Sequence, residues 1–175
     1  MKTNKYLLDQ IKHLKGRVIV IDVEDYLIDA IDKNDAITEC FELNSLSTKD
    51  KWHLSLFSKR LSSKKMKKKF KKKKIDAIIL NNKALKPMLI TFIRDSIYIS
   101  KGYVYIYGDE KEIPTELLID RYNRYNTKVE KIDENGYILK IDSSKAKNNW
   151  FKDLGYLIMD NLVDFNDLLA SYLTN

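Results

Sequence analysis

Apolar residues recur along this chain in two alternating rhythms. Leu7, Leu8, Ile11 and Leu14 stand at helical spacing and predict a helix over residues 4–14, stopped by Gly16. Arg17–Asp22 (RVIVID) is a continuous, mostly β-branched run, as a strand buried on both faces requires. Helical spacing returns over 24–33 through Leu27, Ile28 and Ile31, and Asn34–Asp35 reads as a turn. Ile37–Leu43 (ITECFEL) reads as a second strand with Ile37, Phe41 and Leu43 on one face. From Lys49 to Lys73 the pattern is helical but patchy, through Trp52, Leu56, Phe57, Leu61, Met66 and Phe70. Ile75–Leu80 (IDAIIL) predicts a third strand, residues 84–97 a helix with Pro87 in its first turn, and Tyr103–Tyr107 a fourth strand with all three tyrosines on one face. Pro114 opens a further helix through Leu117, Leu118 and Tyr122.

The rhythm then changes. Lys128–Ile132 and Tyr137–Ile141 flank DENG at 133–136, a hairpin signal, and the tail from Asn148 to Leu173 is helical. Strand–helix alternation closed by two consecutive strands predicts an α/β fold. It is a Rossmann-like, mostly parallel sheet flanked by helices, with a terminal antiparallel strand and a C-terminal helix. One domain is expected over residues 1–175, with an N-terminal helix within 1–16 and a C-terminal helical extension over 148–175.

Composition refines this picture at one place. The chain of 175 residues carries a formal net charge of +7, yet residues 64–74 (KKMKKKFKKKK) hold nine lysines, and the remainder is net negative. The basicity therefore belongs to a single segment. Only five of the 32 basic residues are arginine, the better side chain for bidentate phosphate and base recognition. The single cysteine, Cys40, excludes an intramolecular disulfide and a multi-cysteine zinc site, and reads as a small buried residue in a reducing compartment. The N-terminus MKTNKYLLDQIKHLK has no continuous apolar stretch of the secretory kind, and no run is long enough to span a bilayer. A cytoplasmic protein without membrane association or metal is expected. His13 and His53 are isolated, and no G-x-S-x-G, Walker A, H-E-x-x-H or paired CxxC motif is present.

The second half carries a resemblance. IDAIILNN (75–82), a helix, KGYVYIYG (101–108), a helix and the hairpin KVEKIDENGYILKID (128–142) resemble the fourth to seventh strands of class I S-adenosylmethionine-dependent methyltransferases, whose sheet ends in an antiparallel strand. The resemblance covers residues 17–142 and rests on order and spacing. It implies a Rossmann-like fold and an S-adenosylmethionine-type ligand. The stretch after the first strand, Asp22-Val23-Glu24-Asp25-Tyr26, lacks the glycines of that family's cofactor loop, and Asn81-Asn82-Lys83-Ala84 lacks the Asn-Pro-Pro-aromatic signature of the amino-group enzymes. A degenerate member that binds the ligand is therefore as consistent as an enzyme, and no residue is assigned to catalysis.

In open α/β sheets ligands sit at the carboxyl ends of the strands. That rule makes Asp22, Glu24, Glu42, Asn81 and Asn82 the candidate cofactor-binding residues; by resemblance Glu42 is the acid that takes ribose hydroxyls. The plainer reading makes Asp22 a helix N-cap with Asp25 in the first turn and leaves the others as solvated loop residues. A second functional reading is a non-enzymatic module that binds nucleic acid, another polyanion or protein through Lys64–Lys74, with Lys67, Lys68, Lys71 and Lys72 in contact and Met66 and Phe70 packing the segment down. Because that run leads into a parallel strand, it belongs at the amino-terminal edge of the sheet, away from the crevice. A third reading gives the C-terminal helix to a second copy of the chain as a homo-oligomer contact.

Overall fold

The computed structural model describes residues 4–43, 68–70, 74–82, 89–108, 128–133 and 137–146, with the single positions 119, 162 and 166. The predictions for 49–67, for the start of the 84–97 helix, for the helix at Pro114, for the 134–136 turn and for the 148–173 tail lie wholly or mostly outside these residues. So do Lys67, Lys71 and Lys72.

Among the described residues the elements follow in the order α1 (Lys5–His13), β1 (Gly16–Ile21), α2 (Asp25–Asp32), β2 (Ile37–Leu43), β3 (Ile75–Asn81), α3 (Leu89–Ile99), β4 (Ser100–Gly108), β5 (Lys128–Asp133) and β6 (Tyr137–Asp142). The strands make one sheet in the order β2-β1-β3-β4-β6-β5. β2, β1, β3 and β4 run parallel, and β6 lies antiparallel between β4 and β5. This is the mostly parallel sheet with a terminal antiparallel strand that the alternation predicts.

The apolar runs explain the layers. Val18–Ile21 are all buried, Val18 and Val20 toward α1 and α2, Ile19 and Ile21 toward α3. Ala77 and Ile79 join the first face; Ile78 and Leu80 join the second, where Phe92, Ile93 and Ile97 of α3 cover them. Burying an aliphatic side chain of this size contributes about 1.5–3 kcal/mol, so the central strands hold the sheet together. Asn4 caps α1, its Oδ1 accepting from the Leu7 N–H at 3.0 Å. At the other end the Asn34 amide donates to the Ile11 and Leu14 carbonyls at 2.6 and 3.1 Å, so the α2–β2 turn closes off α1.

Gly16 does not terminate α1, which ends at His13; it opens β1 at φ +78, and a Cβ there would lie 2.5 Å from Asp76 Oδ2. That carboxylate accepts from the Arg17 N–H at 2.9 Å and pairs with Lys101 at 2.9 Å, tying the starts of β1, β3 and β4 together.

Two expectations for β2 are corrected. Ile37 packs toward α1 and α2, whereas Phe41 packs on the opposite face. The pairing passes from Gly16–Ile37 to Arg17–Glu39, so one extra residue, Thr38, reverses the alternation. Cys40 is exposed rather than buried, because β2 is the outermost of the described strands on its side of the sheet. Partial desolvation, then the Asp32 and Glu42 carboxylates, push its thiol pKa up, away from the reactive thiolate.

Candidate functional site

The chain leaves β1 for β2 on one side while β3 lies on the other, so the carboxyl ends of β1 and β3 are the topological switch point of the sheet, the candidate crevice of an open α/β fold. Asp22 follows β1 directly and stands at φ +51, a backbone conformation that aspartate tolerates better than most residues. This turn accomplishes without glycine the reversal from strand to helix. Glu24, at φ −78 and ψ 151, is the N-cap residue of α2 in place of the expected Asp22, and its side chain makes no capping bond.

The Glu24 carboxylate points across the sheet instead. Its Oε1 accepts from Asn81 Nδ2 at 3.2 Å, at the end of β3, and its Oε2 accepts from the Tyr107 hydroxyl, at the end of β4. One acid thus spans the crevice and engages two strands. Tyr107 is buried, and its phenol is held protonated far above the ordinary tyrosine range, first by burial and then by the Glu24 carboxylate it bonds. Tyr26 lies close by; burial raises its pKa, the Asn4 N–H that its oxygen accepts opposes that rise, and the Glu24 charge adds to it.

Tyr103, Tyr105 and Tyr107 share the α1 face, as the alternation predicts. Tyr105 donates to Gln10 Oε1 at 3.3 Å, and burial pushes its pKa up, with Tyr6 and Tyr103 adding smaller contributions. Tyr103, at the amino end, is exposed.

Of the sequence-derived candidates, the fold brings Glu24 and Asn81 into contact, with Asp22 half-buried beside them. Asn82 is fully enclosed: a Cβ on Gly108 would lie 1.6 Å from Asn82 Oδ1, so only glycine, here at φ +151, fits the end of β4. Glu42 stands exposed near the end of β2, on the α2 face. Of the lysine candidates, Lys68 is described and exposed. Tyr107 was not selected by sequence reasoning; its signal was its place as the last tyrosine of the alternating strand, directly before Gly108.

The acids at this edge, Asp22, Glu24, Asp25 and Glu42, suit ammonium groups and hydroxyl donors. Among the described residues no group of three or more His, Cys, Asp or Glu is arranged to hold a metal ion, and no helix is long and apolar enough to cross a membrane.

No protein-family model matches the chain, and no curated protein matches it in sequence. Among solved structures it is similar to a protein-(glutamine-N5) methyltransferase (release factor-specific) from Alicyclobacillus acidocaldarius, at a TM-score of 0.52 and 10% identity, covering 77% of this chain and 88% of that one. M. capricolum TrmK, in complex with S-adenosyl-homocysteine, is similar at 0.48 and 12%, covering 85% and 72%. An O-methyltransferase family protein from Burkholderia thailandensis is similar at 0.46 and 11%, covering 82% and 57%. The fold is the Rossmann-like fold of class I S-adenosylmethionine-dependent methyltransferases.

Proposed function

We propose that this protein is a methyltransferase-like small-molecule-binding protein that takes an S-adenosylmethionine-type nucleoside at the carboxyl ends of β1 and β3, with a degenerate cofactor loop. The observation that carries the reading is the Glu24 carboxylate, set across the crevice at the point where the strand order reverses. The chemistry of the donor set fits such a ligand. Asp22 and Glu24 accept from its ammonium group, Asn81 offers an amide, and Glu42 accepts from ribose hydroxyls. When bound, the ligand supplies an activated methyl group; the residues named here bind and orient it.

The absence of glycine from the loop is what makes the cofactor site degenerate in this reading. Val23 and Glu24 bring side chains where the family brings bare backbone, so a ligand meets carboxylate oxygens rather than amide N–H groups.

Calorimetry and thermal unfolding with S-adenosylmethionine and S-adenosylhomocysteine test this. At a ligand concentration one hundred times Kd the gain is about 2.7 kcal/mol, a rise of roughly 5–10 °C for a chain of this size. D22N keeps the left-handed turn, which asparagine also tolerates, and removes the charge; it is expected to weaken binding in calorimetry. No response of the unmodified protein to either ligand at millimolar concentration overturns the proposal.

A further inference from the structure

We propose that the amino-terminal edge of the sheet is a docking surface for nucleic-acid phosphates, separate from the crevice. Strands β1, β3 and β4 begin at this edge and β6 ends there. Lys15 precedes β1, Lys74 precedes β3, Lys101 is the second residue of β4, and Lys145 follows β6; all four are exposed.

Backbone bonds fix their places. The Lys74 N–H donates to the Ile99 carbonyl at 2.9 Å, and the Ser143 N–H to the Gly102 carbonyl at 2.9 Å, so both segments are held against β4. Lys15 and Lys74 each stand three residues before the first β1–β3 pair, Val18 with Ala77, and so at the same edge of the sheet.

Around the corner, on the α3 face, stand Lys68 and Lys69. Phe70 anchors them: its ring is buried and meets Phe41 edge-on at 4.6 Å, with the Lys69 ammonium 4.8 and 5.2 Å from the two ring centres.

Three acids at this edge are engaged: Asp76 pairs with Lys101, Glu39 pairs with Arg17 at 2.6 Å, and Asp142 accepts from the Ser144 N–H and hydroxyl; Asp32 at the end of α2 and Asp35 in the turn before β2 stand exposed. Lys15, Lys68 and Lys74 have no ion pair among the described residues. Among the described residues the carboxyl edge carries the acids Asp22, Glu24, Asp25 and Glu42 instead.

Lysine ammonium groups on long stems suit backbone phosphates rather than base edges. Phe41 and Phe70 are packed on each other, and Tyr103, the exposed ring at this end, has the Lys140 ammonium 4.6 Å from its centre, so these rings present cations and packed edges rather than an apolar wedge for a bilayer. The surface therefore binds a polyphosphate without sequence preference, and its affinity falls steeply with salt.

The test is fluorescence anisotropy of the full chain with a labelled mixed-sequence DNA duplex of about 20 base pairs, titrated between about 0.05 and 0.2 M salt. K15Q/K74Q, two exposed lysines outside the ion pairs, is expected to lose about tenfold or more in affinity and to flatten the log–log salt slope by about 1.8, the value for two phosphate contacts. K5Q, at the start of α1, is expected to leave binding unchanged. Circular dichroism melts of both variants are expected to match the unmodified protein.

Absence of duplex binding by the unmodified protein overturns the proposal. So does K15Q/K74Q binding with unaltered affinity and slope, or tighter binding to phosphatidylserine vesicles than to the duplex. None of these readouts depends on the nucleoside crevice.

Discussion

Replacing Tyr107 with phenylalanine removes one oxygen from the Glu24 cluster and keeps the buried ring. The lost bond is made to a carboxylate inside the fold, where such a bond contributes about 1.5–3 kcal/mol, so Y107F is expected to destabilise by that amount. For a chain of this length the loss lowers Tm by roughly 3–12 °C. E24Q keeps an acceptor for Asn81 and removes the charge, and the cycle of E24Q, Y107F and the double variant isolates the pair, with a coupling of about 1 kcal/mol or more. A second readout comes from alkali. Tyr107 has a folded pKa raised above its ordinary value of 10.0, so its contribution is complete below that pH. As pH rises further, the unfolded chain releases a proton that the folded chain retains, and stability falls by about 1.4 kcal/mol per pH unit for each such tyrosine. Tyr105 behaves alike, for it too is raised by burial. Urea unfolding at several pH values above 10 is therefore expected to show a steep decline in the unmodified protein, and Y107F is expected to remove about half of the share due to these two residues. An unchanged alkaline slope in Y107F, or a coupling of zero with E24Q, would refute the reasoning.

Two further substitutions probe the fold around the site. G108A sets a Cβ against Asn82 at a positive φ and is expected to cost about 3 kcal/mol in urea unfolding; N82A/G108A recovers the steric part and leaves the backbone part. F70A removes the ring packed on Phe41 and is expected to cost about 3–5 kcal/mol, with rescue by F70L if packing alone is at stake.

Where physics is local, the sequence was legible. Val18–Ile21 and Ala77–Leu80 are apolar throughout because both faces of a central parallel strand are covered, and the observed strands extend beyond the predicted runs by one or two residues at an end. Tyr103–Tyr107 announced a shared tyrosine face through alternation alone. The second strand was found within its limits but its faces were misread, because one residue of slip at Thr38 leaves no mark in the composition. Cys40 was expected inside on the strength of its residue type, whereas its exposure is a property of the strand's position in the sheet. The carboxyl-edge candidates followed from topology, and Glu24 and Asn81 do meet. What could not be read was the partner across two strands, since Tyr107 lies 83 residues from Glu24 and the contact depends on the side chain bypassing its own helix N-terminus.

The two carboxylates that link β1, β3 and β4 differ in what they hold. At the amino edge Asp76 accepts a backbone N–H from Arg17 and pairs with Lys101, so releasing it exposes an unsatisfied main-chain donor at the start of a central strand. At the carboxyl edge Glu24 holds only side chains, the Asn81 amide and the Tyr107 hydroxyl. A change of rotamer at Glu24 frees both without breaking a ladder bond. The cost is then the two side-chain bonds, and a ligand that presents acceptors to Asn81 and Tyr107, or an ammonium to Glu24, recovers it. The amino edge is therefore the fixed end of the sheet and the carboxyl edge the exchangeable one, which is the end the proposed ligand would occupy. It follows that ligand at the crevice is expected to alter hydrogen exchange in the Asp22–Asp25 turn and to leave the strand starts held by Asp76 protected.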